Sequence, residues 1–202
     1  MLFNIGALYS QIGTRQDRST PDTLDSGVDN FLRAAGIFHY IQEIKLRTSN
    51  ESDLDQDLLT LLVQLVLSQA RECLLERAVL RLASDEKSLR SWFQIAMEAV
   101  HVSNDFSEIV SRTSLPNLRH LLPNAWQNLI KIKKEYYRAV GNWHVAQALA
   151  CHQRDMTEAD KEAFQCLYDI PQGAEEERPA LPTTKEQKSS LGKVQLIYSM
   201  IK

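Results

Sequence analysis

The chain has 202 residues, of which 44% are hydrophobic and 24% are charged, and its formal net charge is -3. This mix is typical of a globular protein with a sizeable core, and the net charge gives no electrostatic case for binding nucleic acid or anionic lipid. Seven Gly and six Pro are few for this length, which argues against an all-β sandwich with many tight turns.

The three cysteines, Cys73, Cys151 and Cys166, form no CxxC pair. Such an odd and sparse set predicts reduced thiols in a cytoplasmic protein. No charged segment followed by an apolar core stands at the N-terminus, so we predict no signal peptide. The longest apolar run, Leu58 to Leu67, is shorter than the roughly 20 residues of a membrane span. We therefore predict no transmembrane segment, while peripheral membrane association stays open.

The opening of the chain reads as the middle of a helix. Apolar side chains recur with a helical period at Phe3, Ala7, Leu8 and Ile12, and no N-cap residue or polar turn precedes them. We expect that further sequence precedes this helix in the natural protein. If its usual cover is missing, the face carrying Leu2, Phe3 and Leu8 should be unusually exposed.

Helical periodicity next predicts three long helices. Thr20 is a plausible N-cap for the second, with Pro21 at its first position. The third begins at Ser52 or Asp53 and runs to Leu82. Its interior is apolar on more than one face, which is typical of a central helix with neighbours on both sides. The fourth runs from about residue 85 to residue 111.

The second half of the chain predicts three more helices. The fifth runs from about residue 123 to 152, the sixth from Thr157, which opens a capping box with Asp160, to residue 168. A solvated loop rich in Pro and Glu spans 171–183. The last helix, 185–201, follows overlapping capping boxes at Thr183 and Thr184, and its apolar stripe continues to the chain end, so we expect truncation there too. The fifth helix carries one continuous apolar stripe: Leu129, Ile132, Tyr136, Val140 and Trp143.

These elements predict an all-α fold built as an irregular stack of long antiparallel helices, resembling a bundle or solenoid. No repeat of fixed period is visible, so a regular repeat array is not supported. We divide the chain into a helical core over 1–170, the loop 171–183 and a C-terminal helix over 184–202.

No constellation of residues reaches the threshold for catalysis, and we expect no catalytic residue, cofactor site or metal site. The nearest approach is His144, Cys151 and His152, which lie close to one face of the fifth helix. A metal or thiol site there is conceivable, but the short paired spacing of a zinc module is missing. Ordinary core or surface packing is the favoured interpretation.

A basic cluster also lies on the fifth helix: Lys131, Lys133, Lys134 and Arg138. These side chains would suit phosphates or an acidic partner. The simpler interpretation, which we favour, is that they form the solvent-facing side of the helix.

An apolar surface is the more useful candidate. Leu74 on the third helix and Ile95 on the fourth would lie close together on an exposed face if the two helices are antiparallel neighbours. An amphipathic helix of a partner would dock there. The alternative, that both residues belong to the core, stays open.

Three stretches of the chain point to a known family: Leu2–Ile12, Ala34–Phe38 and Leu67–Cys73. Together they resemble the Bro1 domain family, which includes Alix and the rhophilins. Within the family the chain looks most similar to rhophilins, through residues 12–18, 167–171 and 191–193. The resemblance covers nearly the whole chain but only the later portion of a complete Bro1 domain.

The resemblance implies a non-enzymatic adaptor acting with Rho-family GTPases on the actin cytoskeleton. Other Bro1 domains hold the C-terminal helix of an ESCRT-III subunit in a hydrophobic groove, and the positions that match this groove are Leu74, Ser91 and Ile95. Ser91 departs from the family pattern because a hydroxyl replaces an aliphatic side chain. Loss of one buried aliphatic contact costs roughly 1.5–3 kcal/mol, or about one to two decades of affinity.

Overall fold

The computed structural model describes residues 1–48, 54–84, 88–151, 156–169, 180–182 and 184–201. Within these ranges the chain forms seven α-helices and no strand, so the all-α prediction is confirmed. The helices are α1 (Leu2–Thr14), α2 (Pro21–Thr48), α3 (Gln56–Ser84), α4 (Leu89–Thr113), α5 (Asn124–Cys151), α6 (Glu158–Asp169) and α7 (Lys185–Ile201).

Local capping chemistry starts several of these helices where the sequence predicts. The backbone N–H of Thr23 donates to the Thr20 hydroxyl at 3.3 Å. The Thr157–Asp160 box closes through two reciprocal bonds of 2.9 and 3.2 Å. The Thr184–Gln187 box closes in the same way, at 3.1 and 3.2 Å. Each box satisfies backbone donors that the helix itself leaves unpaired.

Helix α3 begins later than predicted. Its cap is Asp55, whose Oδ1 accepts the backbone N–H of Asp57 at 2.7 Å and of Leu58 at 3.3 Å. Burial alone would raise the pKa of Asp55, but hydrogen bonds from Asn117 and these amides lower it. The predicted caps, Ser52 and Asp53, lie outside the described residues.

The helices pack into two compact units. Unit 1 comprises 1–80 and 105–131, and unit 2 comprises 81–104 and 132–202. The predicted division at 171 and 184 stays a prediction, because most of 171–183 lies outside the described residues.

In unit 1, α1 lies very close to α2 at two glycines. A Cβ on Gly6 would lie 2.8 Å from the Phe38 ring, and one on Gly13 would lie 2.9 Å from the Phe31 ring. Phe3 also packs on Phe38, with ring centroids 5.5 Å apart. The core of this unit is formed by Leu24, Phe31, Ala34, Ala35, Phe38, Val66, Ala70 and Cys73.

The outer face of α1 is apolar and exposed, as the sequence predicts for Leu2 and Leu8. Ile12 is exposed as well. Phe3 is partly exposed, because its ring packs against α2.

Helix α3 places a charged residue inside unit 1. Glu72 is fully buried, and its carboxylate lies 3.8 Å from the guanidinium of Arg18, which also donates to Glu76 at 2.8 Å. Burial opposes the charge of Arg18, but the attraction of these carboxylates raises its pKa overall. The loop between α1 and α2 is thereby tied to α3.

By length and composition alone, α3 is apolar enough to cross a membrane over Gln56–Leu82, a longer stretch than the run Leu58 to Leu67. Core helices of globular proteins meet the same criterion. Here Val66 and Ala70 belong to the core of unit 1, and Glu72 is buried against Arg18. The packing of unit 1 therefore accounts for the composition of α3.

The core of unit 2 is built by the start of α4, the later part of α5, and α6. Phe164 contacts Phe93 and Tyr168, with ring centroids 5.5 and 5.0 Å away. Helix α7 joins through Gln195, whose amide donates to the Tyr168 hydroxyl at 3.0 Å. Buried members of this core include Leu89, Phe93, Ala96, Val100, Val145, Ala148, Leu149, Met156, Phe164 and Leu167.

We predict that Gly13→Ala destabilises the chain by about 1–3 kcal/mol, because the added methyl group would meet the fully buried Phe31 ring. The matched control is Gly36→Ala in α2, where the new Cβ would meet no described atom within 4 Å outside the adjacent residues and the helix backbone. That substitution should stabilise the chain by about 0.5–1 kcal/mol. Urea unfolding of both variants measures the difference, and equal effects would contradict the close approach of α1 and α2.

Candidate protein-interaction surface

An exposed ridge on α3 is the clearest candidate surface in unit 1. Leu67 and Leu74 are 42% and 46% exposed, although they flank the buried residues that face the core. They are seven residues apart, so they lie on the same side of the helix, with Arg71 between them. We call Leu67, Arg71 and Leu74 the α3 ridge.

The charged member of the α3 ridge is held in place by a neighbouring helix. The Arg71 guanidinium donates to both carboxylate oxygens of Asp105 on α4, at 3.1 and 2.9 Å. Glu108 lies one turn after Asp105 on α4 and accepts a hydrogen bond from the side-chain amide of Gln64 at 2.7 Å. Charge-assisted bonds to both oxygens orient the arginine firmly. The ridge therefore presents two leucines around a pre-positioned ion pair.

The other two predicted groove residues lie in unit 2. Ile95 is only 4% exposed, which corrects the expectation that it lies on an exposed face and fits the core alternative. Ser91 is partly exposed, and its hydroxyl lies 2.6 Å from that of Ser88, whose oxygen also accepts the Ser91 backbone N–H. A groove formed by Leu74, Ser91 and Ile95 stays a prediction.

His144 is a buried titratable group on α5. It is 4% exposed and contacts the rings of Trp92 and Trp143, with centroids 5.4 and 4.8 Å from its own. Its Nδ1 has no hydrogen-bond partner among the residues that the structure describes. Burial lowers the pKa of this imidazole to about 4.

The metal hypothesis built on His144 is not tested by this geometry. The Cys151 side chain and the whole of His152 lie outside the described residues. Where the structure describes the chain, no three His, Cys, Asp or Glu side chains come together in a way that would hold a metal ion.

The exposed face of α5 carries apolar as well as basic side chains. In unit 2, Ile132 is 65% exposed and Tyr136 is 57% exposed, so part of the apolar stripe faces outward. Of the basic cluster, Lys131 is exposed, but Lys133, Lys134 and Arg138 are partly buried. Glu135 forms ion pairs with Arg138 at 3.0 Å and with Lys134 at 3.5 Å. Lys131 is thus on the solvent-facing side of α5, as expected, and the other three members face solvent in part.

A family model described as a BRO1-like domain matches residues 1–193. The chain belongs to the BRO1-like domain family. It is 32% identical to human Rhophilin-1 over 197 residues and 33% identical to Rhophilin-2 of Bos taurus over 202 residues. These matches cover 97% and 99% of this chain but only 29% of each relative, so the chain spans less than a third of the length of these rhophilins.

The BRO1-like assignment agrees with the fold. A solved structure described as an ALIX BRO1 CHMP4C complex superposes with a TM-score of 0.63 at 18% identity. The match covers 98% of this chain and 53% of the ALIX chain. At this level of identity the likeness establishes a shared fold.

The spacing of the leucines in α3 indicates the α3 ridge, although the composition of the helix does not. Leu67 and Leu74 are one heptad apart on a helix that is apolar on more than one face. Such a helix can bury only one of its apolar faces in a single core, so another apolar face remains exposed. The family resemblance singled out Leu74, whereas Leu67 and Arg71 emerge only from exposure and the contact with Asp105.

The buried imidazole predicts a specific pH dependence of stability. Because the pKa of His144 is about 4 when folded and about 6.5 when unfolded, the unfolded chain takes up a proton first as the pH falls. The free energy of unfolding should drop between about pH 6.5 and pH 4, by up to about 3 kcal/mol, and His144→Phe should remove this part of the dependence.

Urea unfolding between pH 7 and pH 4 measures this dependence. The matched control is His120→Gln, which removes an exposed imidazole and leaves the buried one in place. If His144→Phe and the wild-type chain lost stability in parallel over this range, the buried histidine would not be the cause.

Proposed function

We propose that this chain is a non-catalytic, protein-binding scaffold module of the rhophilin type, acting in the cytoplasm in Rho GTPase signalling and organisation of the actin cytoskeleton. The observation that carries the proposal is the similarity to rhophilins over at least 97% of the chain, at 32–33% identity. Membership of the BRO1-like family supports the same assignment.

The α3 ridge is the contact surface that we propose for a partner. Burying a leucine side chain completely contributes roughly 1.5–3 kcal/mol, and about half of that remains available for Leu67 and Leu74 because each is already partly covered. Together they would contribute about 1.5–3 kcal/mol, or roughly ten- to hundredfold in affinity. Arg71 and Asp105 would add specificity, since a partner must match this ion pair.

Proximity labelling in cells tests this function with the full chain. We expect Rho GTPases or actin regulators to be enriched around the wild-type chain and lost with the double variant Leu67→Asp/Leu74→Asp. The matched control is Leu8→Asp/Ile12→Asp, which alters the exposed apolar face of α1 and should keep the labelling pattern.

Two results would contradict the proposal. Absence of Rho-pathway and actin proteins around the wild-type chain would remove the signalling assignment. Equal loss in both double variants would show that the α3 ridge has no special role.

An ESCRT-III-binding module in membrane trafficking is the second candidate function. It is favoured by the fold shared with an ALIX BRO1 domain in a complex with CHMP4C, and by the exposure of Leu74. The burial of Ile95 and the hydroxyl at Ser91 weigh against it, since both reduce the apolar surface offered to a partner helix.

Titration with a peptide of the C-terminal helix of CHMP4C separates the two candidates. The rhophilin-type proposal predicts no binding at the highest soluble peptide concentration. Micromolar binding that Leu74→Asp abolishes would instead establish the trafficking function. Isothermal calorimetry on the full chain gives the affinity, with Leu8→Asp as the matched control on α1.

A further inference from the structure

The loop between α1 and α2 carries an exposed hydroxyl group that the proposed contact surface does not include. Thr20 lies directly before Pro21, the first residue of α2. It is the only Ser or Thr of the 202 residues that Pro follows. Protein kinases of the proline-directed class require this dipeptide, because they select a next residue without a backbone N–H. The loop therefore holds one candidate site for phosphorylation.

Thr20 is bonded only to the first turn of α2 in the described structure. Its Oγ1 accepts the backbone N–H of Thr23 at 3.3 Å and lies 2.8 Å from the Thr23 hydroxyl oxygen. Residues 15–20 form no helix. Because helix ends fray at a lower free energy than helix interiors, a kinase can extend this stretch without opening the core.

Arg18, two residues before Thr20, ties the same loop to α3. Its guanidinium donates to Glu76 at 2.8 Å and lies 3.8 Å from the carboxylate of Glu72, which is fully buried. Burial lowers the pKa of Arg18, but Glu76, then Cys73 and Glu72, raise it overall. A new anion on the loop would compete with α3 for this guanidinium.

A phosphate on Thr20 would be such an anion. It would carry a charge of about −1.5 to −2 and three acceptor oxygens, a group that arginine binds through two parallel hydrogen bonds. The N-terminus of α2 would favour its charge. The exposed carboxylates of Asp17 and Asp22 would repel it, which increases the gain from a contact with Arg18.

We propose that Thr20 is a phosphorylation site for a proline-directed kinase, and that its phosphate draws Arg18 away from Glu72 and Glu76. The Thr20 oxygen attacks the γ-phosphorus of ATP, the bond to the β,γ-bridging oxygen breaks, ADP leaves, and the hydroxyl proton passes to a base of the kinase. Glu72 is then buried with less compensating positive charge, which is costly, so the neighbouring turn of α3 loosens. This regulation does not depend on which partner the chain binds.

A purified mitogen-activated protein kinase with ATP tests the site on the full chain. We expect one phosphate, located on Thr20 by mass spectrometry of the peptides. Pro21→Ala should abolish the transfer, although it leaves the Thr20 hydroxyl in place. The matched control, Thr23→Val, removes the neighbouring hydroxyl and should be phosphorylated like the wild type. A synthetic peptide of residues 13–25 reports whether the kinase accepts the same sequence outside the fold.

The reactivity of the Cys73 thiol tests the displacement of Arg18. Cys73 is 1% exposed and follows Glu72 directly in α3. We expect phosphorylation to accelerate its reaction with a thiol reagent under native conditions by at least about fivefold, because α3 opens locally. Mass spectrometry of the modified peptide gives the rate. Phosphorylation should cause no acceleration in Arg18→Gln, whereas Arg15→Gln, at an exposed arginine of the same loop, should retain it.

Four outcomes would overturn the proposal. No transfer to the peptide would reject the motif, and transfer to the peptide alone would show that the fold withholds Thr20. A phosphorylated chain whose Cys73 reacts at the unmodified rate would remove the link to α3. Acceleration that is lost in Arg15→Gln and kept in Arg18→Gln would assign the phosphate to the other arginine. The first three outcomes need only the wild-type sequence, so they decide the matter even if Arg18→Gln fails to fold.

Discussion

Helix α3 has more apolar surface than one core can bury, and the face that it buries determines which residues are left for partners. In unit 1 that choice is set by Val66, Ala70 and Cys73, which pack against α2, and by the fully buried Glu72. A buried carboxylate is costly unless it is paired, so Glu72 must meet Arg18 from the preceding loop. Rotation of α3 about its axis would break this arrangement. The α3 ridge is therefore exposed because the opposite side of the helix packs against α2 and places Glu72 beside Arg18.

The local features of the fold were readable from the sequence because their causes are local. Capping boxes at Thr157 and Thr184 need only residues three positions apart, and both form as predicted. The long helices likewise follow from periodicity. The start of α3 was misplaced because several Asp and Ser residues compete as caps. Asp55 is also held by Asn117, which is distant in sequence, and a local reading does not include this contact.

Which face of each helix is buried was harder to predict. Periodicity shows that a helix has an apolar face, but not which neighbouring helix covers it. The stripe on α5 leaves Ile132 and Tyr136 exposed, while Tyr137 and Val145 face inward. For the same reason Lys134 and Arg138 of the basic cluster are partly buried and form ion pairs with Glu135. Of the candidate groove, Leu74 is exposed and Ile95 is buried, and the sequence leaves both alternatives open for each residue. Burial depends on contacts between distant segments, which one sequence does not reveal.

The orientation of α3 is the claim on which the proposed scaffold function depends most directly, and thiol accessibility measures it. The variants Leu67→Cys and Leu74→Cys, treated with a thiol reagent under native conditions and read by mass spectrometry of the modified peptides, carry the buried Cys73 as an internal reference. The account predicts that the introduced cysteines react about as fast as the exposed Cys166, while Cys73 reacts only when the chain unfolds. Protection at positions 67 and 74 together with rapid reaction of Cys73 would contradict it.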